Sequence, residues 1–265
     1  MNHFIFPYHG NKRREYEHIK HYINLNGIRY IIEPFCGSSA ISFLLWEEHP
    51  ELTFFLMDSD WDLMRVYTEI KEKTPEEIKN NINAVLNIED ETYFKNLVEV
   101  YSGKKKISIT KEKKAEIEAN IYNFMVYKMS LKLGRIFEKR KEFKLNKRQL
   151  KFIEFIKSDN VHFLRSDWFQ SFTTYCNTKD SLIILDPPYL MAYNGFYDLQ
   201  AQMGYTNIYE YLADHKICNF GAKIMLVLEE NWITRLLFKD FIKATYGKVY
   251  EMSKKKTKHI IICNY

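Results

Sequence analysis

The tightest constraint on this chain is the stretch Ser181-Leu182-Ile183-Ile184-Leu185, which runs straight into Asp186-Pro187-Pro188-Tyr189. An unbroken apolar run, partly β-branched, predicts a strand buried on both faces. Two consecutive prolines then stop it, because neither can donate to a ladder and each fixes its own φ. The stretch leaves an acid, two free carbonyls and an aromatic ring at the carboxyl end of a central strand. In open α/β sheets that is where ligands bind. A plain polar turn, with Tyr189 as packing, is the alternative.

Other strands end in the same way. Residues 29–33 form an apolar strand that enters Glu33-Pro34-Phe35-Cys36-Gly37-Ser38-Ser39, followed by an amphipathic helix over 40–48. A small-residue loop at a helix N-terminus suits a carboxylate or phosphate. The strand over 52–57 ends in Asp58, about 20 residues beyond the glycine turn, a spacing that suits ribose hydroxyls. Asp58 or Asp60 could instead cap the helix that follows, through Ile70. Residues 161–166 lead to Asp167 and Trp168, and Asp167 is also a fitting helix cap. A helix over 208–220 precedes a further buried strand over 223–228. Two strands, 249–252 and 259–264, are joined by a lysine-rich turn that meets phosphate or protects a sheet edge. Strands alternating with helices predict an α/β sheet with helices on both faces.

Between these motifs the composition changes. Residues 71–159 read as a mostly helical insert, which leaves 1–70 and 160–265 as one discontinuous catalytic domain. Thr74-Pro75 opens a helix with a cap and a first-turn proline, and a long helix is expected over 115–134. The last third of the insert is basic, with Arg135, Lys139, Arg140, Lys144, Lys147 and Arg148 interleaved with Phe137 and Phe143. At the other end, an aromatic cluster containing Tyr8 leads into Lys12-Arg13-Arg14 and a helix expected over 15–24.

Composition narrows the class. With 46% hydrophobic and 16% aromatic residues, 265 residues can bury a sizeable core, which excludes global disorder. No apolar run reaches membrane-span length, and residues 1–4 lack a signal peptide's regions. Cys36, Cys176, Cys218 and Cys263 are scattered, with no Cys-x-x-Cys pair. They are expected as reduced residues of an intracellular protein, not a disulfide or zinc framework. The net charge of +5 is compatible with nucleic acid without requiring it.

The strand-end residues suit one chemistry well. An exocyclic amino group on a base is a poor nucleophile, because its lone pair is delocalised into the ring. Asp186 and the Pro187 carbonyl can each accept one amino hydrogen, which aims the lone pair at an electrophile, while Tyr189 stacks on the base. Asp-Pro-Pro-Tyr after an apolar strand resembles the catalytic motif of the N6-adenine DNA methyltransferases. The likeness is to the Dam-like group, in which the cofactor motifs precede a target-recognition insert and the catalytic motif follows it.

That resemblance implies a class I methyltransferase fold, Rossmann-like, with S-adenosyl-L-methionine as cofactor, double-stranded DNA as partner and no metal. It implies catalytic roles for Asp186, Pro187, Pro188 and Tyr189. It gathers Tyr8, Lys12, Glu33, Pro34, Phe35, Cys36, Gly37, Ser38, Ser39, Asp58, Asp167, Trp168 and Asp186 around the cofactor. The basic end of the insert would meet DNA phosphates. The chain departs from the family pattern at Asn11 and Ser39, which stand where glycines would be. Two other kinds of protein fit the same residues: a nucleic-acid-binding relative without turnover, and a methyltransferase acting on cytosine N4, RNA or a protein amide. Asp186, in place of the Ser or Asn of N4-cytosine and glutamine enzymes, favours adenine but does not separate DNA from RNA.

Overall fold

The computed structural model describes residues 3–5, 12–86, 90–102, 110–120, 122–123, 142–189, 208–249 and 256–265. The chain divides into two compact units, one of residues 12–60 and 160–265, the other of residues 1–11 and 61–159. The helix that begins at Trp61 thus groups with the insert, whereas the sequence division at residue 70 assigns it to the catalytic segments.

The larger unit is built on a seven-stranded sheet in the order β3-β2-β1-β4-β5-β7-β6. Its strands are β1 (Tyr30–Glu33), β2 (Thr53–Asp58), β3 (Val161–Arg165), β4 (Ser181–Leu185), β5 (Lys223–Glu229), β6 (Ile242–Val249) and β7 (Lys256–Cys263). The first five are parallel. β7 lies antiparallel to β5, and β6 antiparallel to β7.

β4 lies at the centre. Ile32 pairs with Ile183 on one side and Ile184 with Met225 on the other. All five β4 residues are buried, so an apolar run without alternation is what this position demands. Each such Leu or Ile contributes about 1.5–3 kcal/mol by leaving water. Alternate residues Ile183, Leu185, Ile224, Leu226, Leu228, Ile260 and Ile262 join Phe172, Leu212 and Phe238 in one core layer. Leu182, Ile184, Met225, Val227 and Ile261, of opposite parity, are equally buried, so the sheet is covered on both faces. This unit also holds α1 (Tyr16–Ile19), α2 (Ala40–Glu48) and α8 (Trp168–Tyr175), with α9 (Trp232–Phe238) near its end.

The second unit carries α3 (Trp61–Glu72), α4 (Pro75–Leu86), α5 (Glu91–Ser102), α6 (Lys111–Ala119) and α7 (Lys147–Lys157). Phe4, Tyr67 and Phe152 form an aromatic core, with ring centroids of Phe4 and Phe152 5.6 Å apart. The Gln149 side-chain amide donates to the carbonyls of Phe4 and Ile5, fixing that short segment to α7. Thr74 caps α4 in a reciprocal box with Glu77. Among the described residues no helix is long and apolar enough to cross a membrane.

Four sequence expectations are corrected. The helix expected over 15–24 is broken into 3-10 turns at Lys12–Arg14 and Lys20–Tyr22 around α1, and it ends where Ile23 turns extended. The long helix over 115–134 instead starts at Lys111, capped by Thr110, and stops at Ala119. Asn120 is non-helical and its side chain takes the Tyr122 N–H at 3.0 Å, a local bond that competes with the helix. Residues 124–134 lie outside the described residues. The helix expected over 208–220 gives way after residue 214, where Lys216 adopts φ +51°. Finally, the strand expected over 249–252 instead begins at Ile242, as β6, and residues 250–252 lie outside the described residues. β6 is an edge strand in which only Tyr246 is buried, and its one exposed and one half-buried lysine leave the apolar alternation too weak to read.

Candidate active site

β4 delivers Asp186 to the carboxyl edge of the parallel strands, and the 3-10 turn Lys12–Arg14 meets it there. Lys12 Nζ lies 2.5 Å from Asp186 Oδ2. The Tyr189 hydroxyl donates to Asp186 Oδ1 at 3.0 Å, and Lys12 Nζ stands 5.2 Å over the Tyr189 ring. Tyr209 donates to the Pro188 carbonyl at 3.3 Å, pinning the proline turn from the helical segment over 208–214. Pro187 is buried, and Pro188 and Tyr189 are half-buried. Lys12 is only 4% exposed and Asp186 16%, so the pair is largely desolvated. Burial alone would lower the Lys12 ammonium. Asp186 outweighs it, with help from Glu15 and Glu33, and leaves Lys12 above the ordinary lysine value.

Glu33 ends the neighbouring strand. Burial pushes its carboxyl up to about 8, and the nearby Asp186 adds to the effect, although the Ser42 hydroxyl donates to it. At neutral pH Glu33 is therefore mainly an uncharged acid. The loop beyond Pro34 is tied by main-chain bonds, one to β2 and one within itself. Cys36 N–H reaches the Met57 carbonyl at 2.9 Å, and Ser39 N–H the Cys36 carbonyl at 2.6 Å. Gly37 sits at φ +47° and Ser39 at φ +50°, both left-handed. For a residue with a Cβ this costs about 1–2 kcal/mol. Phe35 is half-buried, while Cys36, Ser38 and Ser39 are buried. Burial pushes the Cys36 thiol well above its ordinary value, so it is no nucleophile.

Asp58 ends β2 facing this loop. Its Oδ2 accepts the Gly37 N–H at 3.1 Å and its Oδ1 the Asp60 N–H at 3.0 Å. Ser166 N–H donates to the Asp58 carbonyl at 3.2 Å, which brings the end of β3 to the same place. Asp167 then caps α8, accepting the Gln170 N–H at 3.0 Å. Trp168 packs into the core, with its ring centroid 5.5 Å from that of Phe169. The expected cofactor residues Lys12 and Glu33 to Ser39, with Asp58 and Asp167, thus cluster along one edge of the sheet. Tyr8, Arg135, Lys139 and Arg140 lie outside the described residues. Lys144 is exposed and pairs with Glu142 at 3.1 Å. Lys147 and Arg148 open α7, whose first turn is closed by an Asn146–Gln149 capping box.

The sequence gives no prominence to Glu15, Tyr246, Lys248 or His259, yet they lie beside Lys12. The Glu15 carboxylate is buried, with Lys248 Nζ at 2.6 Å, the Tyr246 hydroxyl at 2.7 Å and His259 Nδ1 at 3.0 Å. The one signal in the sequence is the Lys12/Glu15 spacing of three, which puts the two on one side of a helical turn.

A carboxylate and a backbone carbonyl at a strand end can accept hydrogens from a planar amino group, while the aromatic ring beside them can stack on its ring and the ammonium holds the carboxylate in place. No curated protein matches the sequence. The sequence model of the D12 class N6 adenine-specific DNA methyltransferases matches residues 8–257, a span that takes in every strand-end motif and Lys12. The chain belongs to the D12 class of N6 adenine-specific DNA methyltransferases.

Proposed function

We propose that this chain takes its methyl group from S-adenosyl-L-methionine and places it on adenine N6 in double-stranded DNA, within a short specific sequence, on a base rotated out of the helix. The observation that carries this is Asp186-Pro187-Pro188-Tyr189 fixed at the end of central β4, with Lys12 Nζ 2.5 Å from Asp186. A carboxylate has acceptors only, and each oxygen keeps a lone pair beyond its present partner. Asp186 takes one N6 hydrogen and the Pro187 carbonyl the other, while the Pro188 carbonyl is already occupied by Tyr209. The Tyr189 ring stacks on the base, a contact worth about 1–3 kcal/mol.

The donor set along β1, β2 and β3 suits the cofactor. The left-handed turn at Gly37–Ser39 opens α2 without a side-chain cap from Ser39, which fits a carboxylate at the helix N-terminus. Asp58 suits ribose hydroxyls, Asp167 the adenine amino group and Phe35 the apolar wall beside a sulfonium. Bound there, the cofactor supplies an electrophilic methyl carbon. The protein holds the amino group and excludes water, and orientation of two bound reactants accounts for much of the rate. Unpairing and unstacking the target base costs a few kcal/mol. Phosphate contacts from Lys144, Lys147 and Arg148, with Arg135, Lys139 and Arg140, return part of that. Lys147 and Arg148 stand at the positive end of α7, opposite to the dipole preference, an arrangement that an anionic partner would relieve.

The test is transfer of labelled methyl from S-adenosylmethionine to unmethylated DNA. The expected product is N6-methyladenine at one recurring sequence, with Asp186→Ala lowering the rate at least about 100-fold. Undiminished transfer by Asp186→Ala sinks the catalytic assignment, and label appearing only in RNA sinks the acceptor.

A further inference from the structure

The β6–β7 hairpin presents one polar face to the catalytic turn. Tyr246 and His259 are directly opposed in the antiparallel register, and Lys248 follows Tyr246 by two residues on the same side of β6. All three converge on Glu15, with Lys248 Nζ on Oε1 and both the Tyr246 hydroxyl and His259 Nδ1 on Oε2. His259 is fully buried, and its ring meets the Tyr189 ring edge-on at 5.0 Å. His18 stacks on Tyr246 at 5.0 Å from the neighbouring α1. Glu15 lies one turn beyond Lys12, and its N–H donates to the Lys12 carbonyl at 2.9 Å.

We propose that Glu15 is a positioning residue for methyl transfer: by neutralising Lys248 it leaves Asp186 to Lys12 and holds the Lys12–Asp186–Tyr189 group in its reactive arrangement. This rests on the catalytic assignment made above. The charged side chains gathered here are Lys12 on Asp186 and Lys248 on Glu15, with the buried His259 ring also on Glu15. Burial would raise the Glu15 carboxyl, yet Lys12, His259 and Lys248 together hold it well below the ordinary carboxylate range. Burial and Lys12 both lower the Lys248 ammonium, while Glu15, and then Asp186, support it. Without Glu15 the two lysines share Asp186. Without Lys248, Glu15 competes with Asp186 for Lys12. In both cases Asp186 loses the arrangement in which its lone pairs face the substrate.

The prediction is therefore reciprocal. Glu15→Gln and Lys248→Met should each lower kcat about 10- to 100-fold with KM for DNA little changed. The double variant Glu15→Gln/Lys248→Met, with both charges gone, should recover most of the wild-type kcat. A role in packing alone would make the two losses multiply. The ligand-free protein offers a second readout through ¹³C-labelled lysine side chains. The Lys12 signal should move in each single variant and return in the double. Losses that multiply, or a Lys12 signal unmoved by Glu15→Gln, overturn the proposal. If Glu15→Gln does not fold, Lys248→Met alone decides, because unchanged kcat and an unmoved Lys12 signal refute it. Wild-type protein that transfers no methyl to DNA refutes the underlying assignment, a failure distinct from multiplying losses in an active enzyme.

Discussion

Asp58 and Asp186 end two strands of the same parallel sheet, yet they are held in opposite ways. Asp58 is fixed by main-chain N–H groups of Gly37 and Asp60, neutral donors supplied by its own loop and by the β1 loop beside it. Asp186 is fixed by an ammonium and a phenol, and the ammonium comes from the first turn of the unit, 174 residues earlier in the chain. The first arrangement needs only strand ends in register. The second needs charges from distant segments to be buried together, where a broken pair is costly.

That contrast can be broken from either side. The largest effect is expected at Asp186. Asp186→Ala removes the carboxylate that faces the buried Lys12 ammonium and should lower unfolding stability by about 3–5 kcal/mol. Adding Lys12→Met should restore much of that stability without restoring methyl transfer, as read by urea denaturation beside the transfer assay. Equal stability of Asp186→Ala and wild type would mean that the pair contributes nothing. Asp58→Ala should cost less, about 1–3 kcal/mol, because two neutral N–H groups lose their acceptor. Calorimetric titration with S-adenosylmethionine should show affinity reduced roughly tenfold or more if the ribose contact is real.

Glu33 sharpens the comparison through pH. Its folded-state value of about 8 lies above its ordinary value of 4.5. The folded protein therefore binds more protons than the unfolded chain between those limits. The stabilising contribution is complete below pH 4.5 and is lost as pH rises through 8. Glu33→Gln should flatten the fall in stability across that window and gain on the order of 1–2 kcal/mol at its upper end. A melting profile in which the variant keeps the wild-type slope would remove burial of Glu33 as the cause. The smallest effect belongs to Ser39. Ser39→Gly relieves a left-handed backbone and should stabilise the protein by up to about 1 kcal/mol, less the greater freedom of glycine when unfolded. A destabilised Ser39→Gly would show instead that the buried hydroxyl matters more than the strain.

The same contrast explains what could be read from the sequence. Apolar runs that end in Glu33-Pro34, Asp58, Asp167 and Asp186 are local signals. They gave the parallel strands and their order of motifs along the chain. The loop around Gly37 was legible because a glycine turn between a strand and a helix has few solutions. Glu15, Lys248 and His259 were not, because their meaning lies in partners more than two hundred residues away, and in isolation each is an ordinary polar side chain. β6 is hidden for a related reason, since Lys243 and Lys248 mask the alternation, and Lys248 finds its partner only in Glu15. The break at Asn120 turned on a single side chain satisfying a backbone N–H, which helical periodicity does not register.

The placement of β7 between β5 and β6 has a consequence for assembly. Among the described residues β6 is bonded to the sheet through β7 alone, so it has no seat until the later strand is in place. The hairpin must arrive as a unit, and until then β5 offers the apolar edge Met225–Leu228 to any passing strand. Breaking the ladder at one residue of β7, such as Ile261, should therefore release two strands rather than one. It would leave a chain whose parallel sheet can still form but whose open edge invites self-association, and it would take Lys248 and His259 away from Glu15 at the same time.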